Sequence, residues 1–307
     1  MGVLFPEPAG AGGCLQPEWS TKLGVCVIFF MQGLCLPLRS LAAGYQPPRL
    51  HVFVLSWNYV WFPLVSGLLI LPLSWLVTPE LRVGFGLLAI LPTTVASAIA
   101  FTSISGGAAA NAIFATVFSN LLAVLIVPTL GLAFLAREAA LELSLGSIFY
   151  SLSLILVLPL LLGQVVRHIA GDYVSGHNQW AKVLSSAIIV FLVHAAFAES
   201  VRAGFLQTLS LATLFGVLIS TVLVLVVVSA LVWQSAACLQ LSRPQRIAAF
   251  FCASHKSLAS GLPLATSILV AAPGAVEPAT VLIPLLCYHP LQLLLAGCLA
   301  ERFQRYS

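Results

Sequence analysis

The feature that most restricts the fold is a series of nine apolar segments, each close to or above the length of a membrane-spanning helix. A helix needs about 20 apolar residues to cross a bilayer. Hydrophobic residues make up 60% of the chain and charged residues 7%, whereas soluble domains carry about 25% charged residues. The sequence therefore predicts an all-α polytopic membrane protein in contact with the lipid bilayer. The segments are 21–40, 51–77, 81–104, 108–134, 145–168, 181–199, 207–238, 247–270 and 278–300.

One lysine lies deep inside the eighth segment. Lys256 and its neighbour His255 are about ten residues from either end of 247–270, so roughly 15 Å of helix separates them from each interface. A charge at the bilayer centre costs ~3 kcal/mol on insertion scales, so Lys256 must face protein, water or a bound anion. We interpret this region as a substrate or ion site. The alternatives are a lysine on an interfacial helix and a lysine that bonds a backbone carbonyl for structural reasons.

Two segments carry interruptions that favour broken helices. The run Cys252–Pro263 contains three serines, a glycine and a proline, and the run Leu91–Ala98 contains a proline, two threonines and a serine. Broken helix at membrane depth is tolerated where it lines a cavity. Matched breaks in two halves of a chain indicate an inverted-repeat transporter with its site at the midplane. The alternative is that Pro92 and Pro263 only kink two helices.

Loop charges predict the orientation in the membrane. Nine complete spans place the two ends of the series on opposite sides of the bilayer. More basic residues fall on the side of the C-terminus, and the positive-inside rule assigns that side to the cytoplasm. We expect an integral multi-pass protein of the bacterial cytoplasmic membrane with a cytoplasmic C-terminus. The basic residues are Arg39, Arg49, Arg167, Lys182, Arg243, Arg246, Arg302 and Arg305 on that side, and Lys22, Arg82, Arg137 and Arg202 on the other.

Several function classes are disfavoured. The charges are scattered singly, with no basic stripe, so nucleic-acid binding is not predicted. The cysteines lack metal-ligand spacing. An enzyme is not expected, because no acidic dyad is available and the adjacent Lys256 and Ser257 point to different helix faces. The sequence has no ATP-binding motif, so transport would depend on an ion gradient or on the gradient of the substrate.

The residues around the two interruptions resemble a known family. His-Lys-Ser-Leu within Phe251–Leu258 and Tyr-His-Pro-x-Gln from Tyr288 to Gln292 form a specific combination, and Pro92–Ser97 adds to it. This combination resembles the bile acid:sodium symporter superfamily, in the branch of solute carrier family 10 that includes its seventh member and bacterial and plastid relatives.

The resemblance implies ten spans in two inverted five-span repeats, 1–134 and 145–300, within a single transmembrane domain, 1–307. It implies a panel domain beside a core domain, with spans four and nine broken and crossing at the substrate cavity. It also implies that the first span is incomplete here, because relatives carry a full helix before the segment that matches Gly13–Glu18.

This sequence differs from the sodium-coupled members of the family at the positions of their sodium site. Those members place Ser-Asn at the crossover of span four, a glutamate in span nine and hydroxyls in span five. Here Ser97 matches the serine, but Ala98 replaces the asparagine, Ser254 stands in place of the glutamate, and Asn111 and Ala115 stand at the hydroxyl positions. Sodium needs several hard oxygen ligands. We expect no cofactor and a degraded sodium site, of which Ser97 is the remnant.

Lys256 lies about where the lost sodium would be. Its ammonium is predicted either to replace a structural sodium or to bind the carboxylate or sulfate of an anionic substrate. His255 is a candidate for proton coupling, although buried histidines more often bond a backbone carbonyl. Asn111 and Asn120 lie nine residues apart on one predicted helix and so on opposite faces; we favour Asn111 because it is nearer Gly106.

The predicted function is secondary active transport of a small organic anion by alternating access. The alternative is a non-transporting membrane regulator or scaffold on the same fold. The predicted substrate- or ion-binding residues are Thr94, Ser97, Asn111, Ser254, His255, Lys256, Ser257, Ser260 and His289.

Overall fold

A computed structural model describes residues 16–35, 44–139, 145–176, 178–202, 210–271 and 276–305, and in these ranges the chain is helical without any strand. Residues 1–15, on which the expectation of an incomplete first span falls, lie outside the described part. The helices are α1 (Pro17–Cys35), α2 (Pro48–Ser56), α3 (Phe62–Ile70), α4 (Pro79–Ile90), α5 (Ala96–Ile104), α6 (Ala109–Ala139), α7 (Leu145–Gly176), α8 (Asn178–Arg202), α9 (Leu211–Ala237), α10 (Arg243–Ser254), α11 (Leu258–Ala271) and α12 (Pro278–Arg305).

Each of the nine apolar segments corresponds to one helix or to two consecutive shorter helices. Five stretches of the described chain are long and apolar enough to cross a membrane by themselves. The prediction of an all-helical membrane protein is therefore confirmed. The five stretches are Pro48–Leu73, Ala109–Ala136, Val183–Val201, Leu211–Ala237 and Pro278–Arg305.

Both predicted interruptions are present. The segment Leu91–Val95 separates α4 from α5, and His255–Ser257 separates α10 from α11. One detail of the prediction is wrong, because Gly261 and Pro263 lie within α11 and do not form the break. A membrane helix tolerates a proline when neighbouring groups satisfy the carbonyl that it frees.

Helix α5 ends in a turn that requires glycine. Gly106 has φ 69°, a left-handed conformation that glycine adopts without steric cost. Its N–H donates to the Ser103 carbonyl at 3.1 Å, and the Gly107 N–H donates to the Thr102 carbonyl at 2.7 Å. This is a Schellman motif. It stops α5 after two and a half turns and allows α6 to start at Ala109.

A π-helical turn, Trp57–Trp61, joins α2 to α3. The N–H of Phe62 donates to the Trp57 carbonyl, five residues earlier. The next residue is Pro63, which has no N–H to donate. The carbonyl of Asn58 is therefore left without a partner in its own helix, although it lies at the centre of an apolar span.

The helices pack in two groups. Helix α1 lies along α7 and also contacts α8, while α4 packs between α6 and α12, and α9 packs against α10 and α12. The groups meet where α1, α7 and α8 contact α11, and also where α7 contacts α6 and α8 contacts α12. Helix α11 follows the second break, so the break lies beside the contact between the groups.

Two glycines allow the close contact of α1 with α7. A Cβ added at Gly33 would lie 2.1 Å from the Leu160 carbonyl oxygen, and one added at Gly163 would lie 2.2 Å from the Phe30 carbonyl oxygen. Both neighbouring atoms are backbone, so neither can move without shifting a helix. These distances are too short for any side chain larger than hydrogen.

We expect Gly163→Ala to separate α1 from α7, because the new methyl group would overlap the Phe30 carbonyl. Overpacking of this kind costs about 1–3 kcal/mol, and the melting temperature in detergent should fall by several degrees. The matched control is Gly67→Ala, where an added Cβ meets nothing within 4 Å. Equal melting temperatures for the two variants would contradict the close contact.

Candidate functional site

The two breaks touch each other. The N–H of Ser257, in the second break, donates to the carbonyl of Pro92, in the first, at 2.8 Å. Each break supplies a backbone group that its own helices cannot pair. This bond joins residues that are far apart in the sequence, so it marks the point where the two broken spans meet.

Lys256 fills the space beside this meeting point and is fully buried. Its Nζ donates to the carbonyls of Ala89 at 2.7 Å, Leu91 at 2.9 Å and Asn58 at 3.1 Å. Nζ also lies 4.2 Å from the centroid of the Phe62 ring. We call these three carbonyls and this ring the carbonyl cage.

Each carbonyl of the cage is available for a local reason. The Asn58 carbonyl is free because Pro63 has no N–H. Those of Ala89 and Leu91 are free because α4 ends at Ile90, and the N–H of Thr93, which would reach Ala89 in a continuous helix, points to Ser119 Oγ at 3.5 Å. The π-helical turn before Pro63 and the end of α4 at the first break therefore supply the three carbonyls of the cage.

The geometry indicates a charged ammonium. A neutral amine has two N–H donors, whereas three acceptors surround Nζ, and only –NH₃⁺ supplies three. The Phe62 ring face attracts a cation as well. Each hydrogen bond to a charged group contributes about 1.5–3 kcal/mol, so three of them offset the ~3 kcal/mol cost of a charge at this depth.

These contacts distinguish between the two structural alternatives for Lys256, a lysine on an interfacial helix and a lysine bonded to backbone carbonyls. The lysine does not lie on an interfacial helix, since it sits in the break between α10 and α11 and is enclosed by α4 and the π-turn. It bonds backbone carbonyls, as the structural alternative states. In this conformation no part of its side chain is accessible to a substrate.

Gln292 of α12 holds the backbone of Lys256. Its Oε1 accepts the Lys256 N–H at 2.8 Å, and its Nε2 donates to the Lys256 carbonyl at 2.8 Å. Nε2 also lies 2.9 Å from His289 Nδ1. One side chain thus pairs both backbone groups of a residue that has left the helix, and His289 supports it from one turn earlier.

We call the point where the two breaks meet the crossing. A second set of polar contacts lies on the α6 side of the crossing. Asn120 Nδ2 donates to the Thr93 carbonyl at 2.9 Å, and Ser260 Oγ donates to Asn120 Oδ1 at 2.6 Å. Asn58 Nδ2 donates to Ser119 Oγ at 3.1 Å and to the Cys252 carbonyl at 3.4 Å. Helix α6 therefore ties both breaks to the π-turn.

Thr94 lies in the first break, and Ser97 is the second residue of α5. Their hydroxyls share a hydrogen bond of 2.5 Å, and the Ala98 N–H donates to Thr94 Oγ1 at 3.0 Å. Thr94 is buried and Ser97 half-buried, while Val95 between them is 40% exposed. Of the predicted hydroxyls of the two breaks, Ser97 is the most accessible.

The remaining predicted residues of the second break are buried and mostly paired. Ser254 Oγ donates to the Phe250 carbonyl of its own helix at 2.8 Å. Ser260 Oγ donates to Asn120 Oδ1, as described above. Ser257 Oγ donates to Ser260 Oγ at 3.3 Å. His255 packs edge-on against Phe101 with ring centroids 6.0 Å apart, and its Nδ1 has no hydrogen-bond partner.

Asn111 lies elsewhere. Its Nδ2 donates to the carbonyls of Gly44 at 2.8 Å and Gln46 at 2.6 Å, in the segment that precedes α2. It is about 14 Å along α6 from Asn120. The structure thus brings Asn120 to the crossing and Asn111 to a loop, contrary to our preference from sequence.

The sequence interpretation missed Asn58, Phe62 and the carbonyls of Ala89 and Leu91. The signal for Asn58 was present, because a polar residue in an apolar span stood five positions before a proline. The signal for Ala89 and Leu91 was the predicted break itself, since the last carbonyls of a helix lack partners.

Gln292→Ala should destabilise the protein strongly, because it leaves the N–H and carbonyl of Lys256 unpaired in a dry interior. At about 1–3 kcal/mol for each orphaned group, we expect a loss of about 2–6 kcal/mol, read as a lower melting temperature by tryptophan fluorescence. Gln304→Ala is the control, since Gln304 is exposed and donates to the Ile104 carbonyl. A Gln292 variant that melts with the parent would disprove the role of this side chain.

Comparison with known proteins identifies the family. Residues 1–305 match the SBF-like CPA transporter family. "Putative symporter YfeH" of Escherichia coli is 35% identical over 99% of this chain and 91% of the relative. "Uncharacterized protein PA2026" of Pseudomonas aeruginosa is 34% identical over 94% of this chain and 85% of the relative. "Sodium/bile acid cotransporter 7" of Danio rerio is 31% identical over 96% of this chain and 88% of the relative. The resemblance seen at the two breaks is confirmed, and the chain belongs to the SBF-like CPA transporter family, a family of membrane transporters and not of enzymes.

Proposed function

We propose that the protein is a secondary active transporter that carries a small organic anion by alternating access. The observation that carries this proposal is the contact between the two breaks, in which Ser257 bonds Pro92 across the middle of the helical bundle. Broken spans that meet at mid-membrane depth are the usual setting of substrate sites in secondary transporters. The ten-span inverted repeat that the resemblance implies belongs to the same proposal.

The polarity of the half-helices supports an anionic substrate. Helices α5 and α11 both begin at the crossing, and exposed residues lie at both starts: Val95 directly before α5, Ala96 in α5 and Ala259 in α11. A helix N-terminus carries free N–H groups and a partial positive charge that favour anions. The opposite, C-terminal end of α4 faces the Lys256 ammonium. The substrate would thus meet amide N–H groups and the Ser97 hydroxyl.

The helix packing supports alternating access. Helices α1, α7 and α8 form one group, and their contact with the rest of the chain includes α11. A rigid movement of this group against α11 would change access to the N-terminal end of α11. The break itself is held by Gln292 and Asn120, so the crossing would move as one body.

We also propose that the sodium site is degraded. The positions that the resemblance assigns to sodium are occupied by Ser97, Ala98, Ser254, Asn111 and Ala115. The Ser254 hydroxyl is engaged with its own helix, and Asn111 with the segment before α2. The Ser97 hydroxyl bonds Thr94, but it is the most accessible of these side-chain oxygens, and we propose it as the remnant of the site.

For the orientation, we propose a cytoplasmic C-terminus in the bacterial inner membrane. Arg243 donates to the Phe303 carbonyl near the end of α12 at 2.8 Å, and Arg49 donates to the Gln240 carbonyl at 2.7 Å. Arg49 and Arg243 therefore lie at the same end of the bundle as the C-terminal end of α12, which is the arrangement that the positive-inside rule requires of a cytoplasmic end.

One observation favours the second candidate function, a non-transporting regulator or scaffold. The crossing is filled by the Lys256 side chain, and the crevice beside it, lined by Ser254, His255 and Gln292, leaves no room for a water molecule. A transporter needs a conformation that opens this region; a scaffold does not.

A panel of organic anions separates the two functions. We expect a carboxylate or sulfate from the panel to raise the melting temperature, while its uncharged amide or alcohol analogue does not, because only the anion benefits from the two helix N-termini. The same anion should exchange across proteoliposomes, with equal rates in sodium and choline media. Failure of every anion to bind or exchange would favour the scaffold.

We expect Ser97→Ala to weaken the apparent affinity for that anion about 5- to 10-fold, which corresponds to the loss of one hydrogen bond of about 1 kcal/mol. The matched control is Ser103→Ala on the same helix, where the hydroxyl is exposed and bonds the Ile99 carbonyl. Equal affinities of the two variants would remove Ser97 from the substrate site.

A further inference from the structure

We propose that the carbonyl cage is a binding site for a primary ammonium ion, and that Lys256 is the ligand, permanently attached. The site would take an alkylammonium of the length of the lysine side chain if that side chain were removed. Binding at the cage does not require that the protein transports anything.

The donor set has the chemistry of an ammonium site. The three ligands are carbonyl oxygens, which accept and cannot donate, and they lie 2.7–3.1 Å from Nζ. The fourth contact is the face of Phe62, which interacts favourably with a cation. Three acceptors match the three N–H bonds of a primary ammonium, so a quaternary ammonium without N–H groups would not satisfy them.

The cage is held by contacts that do not involve the Lys256 side chain. Asn58 is fixed through its side-chain bonds to Ser119 and to the Cys252 carbonyl. The end of α4 is fixed by the bond from the Ser257 N–H to the Pro92 carbonyl and by the bond from Asn120 to the Thr93 carbonyl. The three carbonyls should therefore keep their positions when the ammonium is removed, and they would then lack partners.

A fixed ammonium has a consequence for ion coupling, and this consequence rests on the proposed function. It supplies the charge of a bound monovalent cation at the crossing, but a side chain cannot leave with the substrate. Coupling to a sodium gradient, or to that of another metal cation, through this position is therefore excluded, because the covalently attached ammonium cannot leave the site. The charge serves instead to hold the end of α4, the π-turn and the second break together.

Lys256→Ala tests the proposal by chemical rescue. The substitution removes three methylene groups and the ammonium, which is the volume and charge of n-propylammonium. We expect the melting temperature of the purified variant to fall by about 5 °C or more, given three carbonyls left unpaired. Added n-propylammonium chloride should recover about half of the loss, because it binds only the folded state.

Three controls at the same ionic strength identify the chemistry. Tetramethylammonium has the charge without N–H donors, and n-propanol has the chain without the charge, so neither should rescue Lys256→Ala. The parent and Lys22→Ala should not respond to n-propylammonium, since the cage is filled in both; Lys22 is exposed. Stabilisation of all variants alike, or of Lys256→Ala by sodium chloride alone, would overturn the ammonium assignment.

Lys256→Met keeps the proposal testable if the alanine variant does not fold. Methionine retains much of the side-chain volume but has no donor, so we expect a lower melting temperature than the parent and no response to n-propylammonium. A methionine variant as stable as the parent would refute the proposal. All these readouts are melting temperatures, so they remain valid if the protein proves not to carry an anion.

Discussion

The contact between the Lys256 ammonium and three backbone carbonyls is the interaction on which the centre of the molecule depends. It connects the end of α4, the turn between α2 and α3, and the break between α10 and α11. Each of these places is a departure from regular helix inside an apolar bundle. A carbonyl without a partner and a charge without water are each costly at this depth, and pairing them removes both costs at once.

Much of the fold follows from the sequence because the membrane imposes length and polarity on every span. The nine apolar segments and the two breaks at Leu91–Val95 and His255–Ser257 were predictable from apolar runs interrupted by hydroxyls and proline. The exact break in the second span was not, since Gly261 and Pro263 are conspicuous in the sequence yet are accommodated within α11. Tertiary contacts from Gln292, which no local pattern reveals, decide where that backbone leaves the helix.

The candidate site could be predicted only in part, because its contacts are also tertiary. Residue type identified Lys256, but its partners are main-chain carbonyls, which carry no signature in a sequence. Helical periodicity placed Asn111 and Asn120 on opposite faces of α6, and the structure agrees, with Asn120 bonded at the crossing and Asn111 to the segment before α2. Periodicity could not say which face looked toward the crossing, because that depends on how α6 packs against α4 and α11.

Pro63 also makes two distant positions interdependent. Because Pro63 has no N–H, the Asn58 carbonyl has no partner in its own helix. The Lys256 ammonium, almost two hundred residues away in the sequence, donates a hydrogen bond to it. A residue with an N–H at position 63 would offer that carbonyl a local partner and so compete with the lysine. The effects of changes at 63 and 256 should therefore be non-additive, as expected for residues that share a partner. Whether a substitution is tolerated at one of these positions would therefore depend on which residue is present at the other.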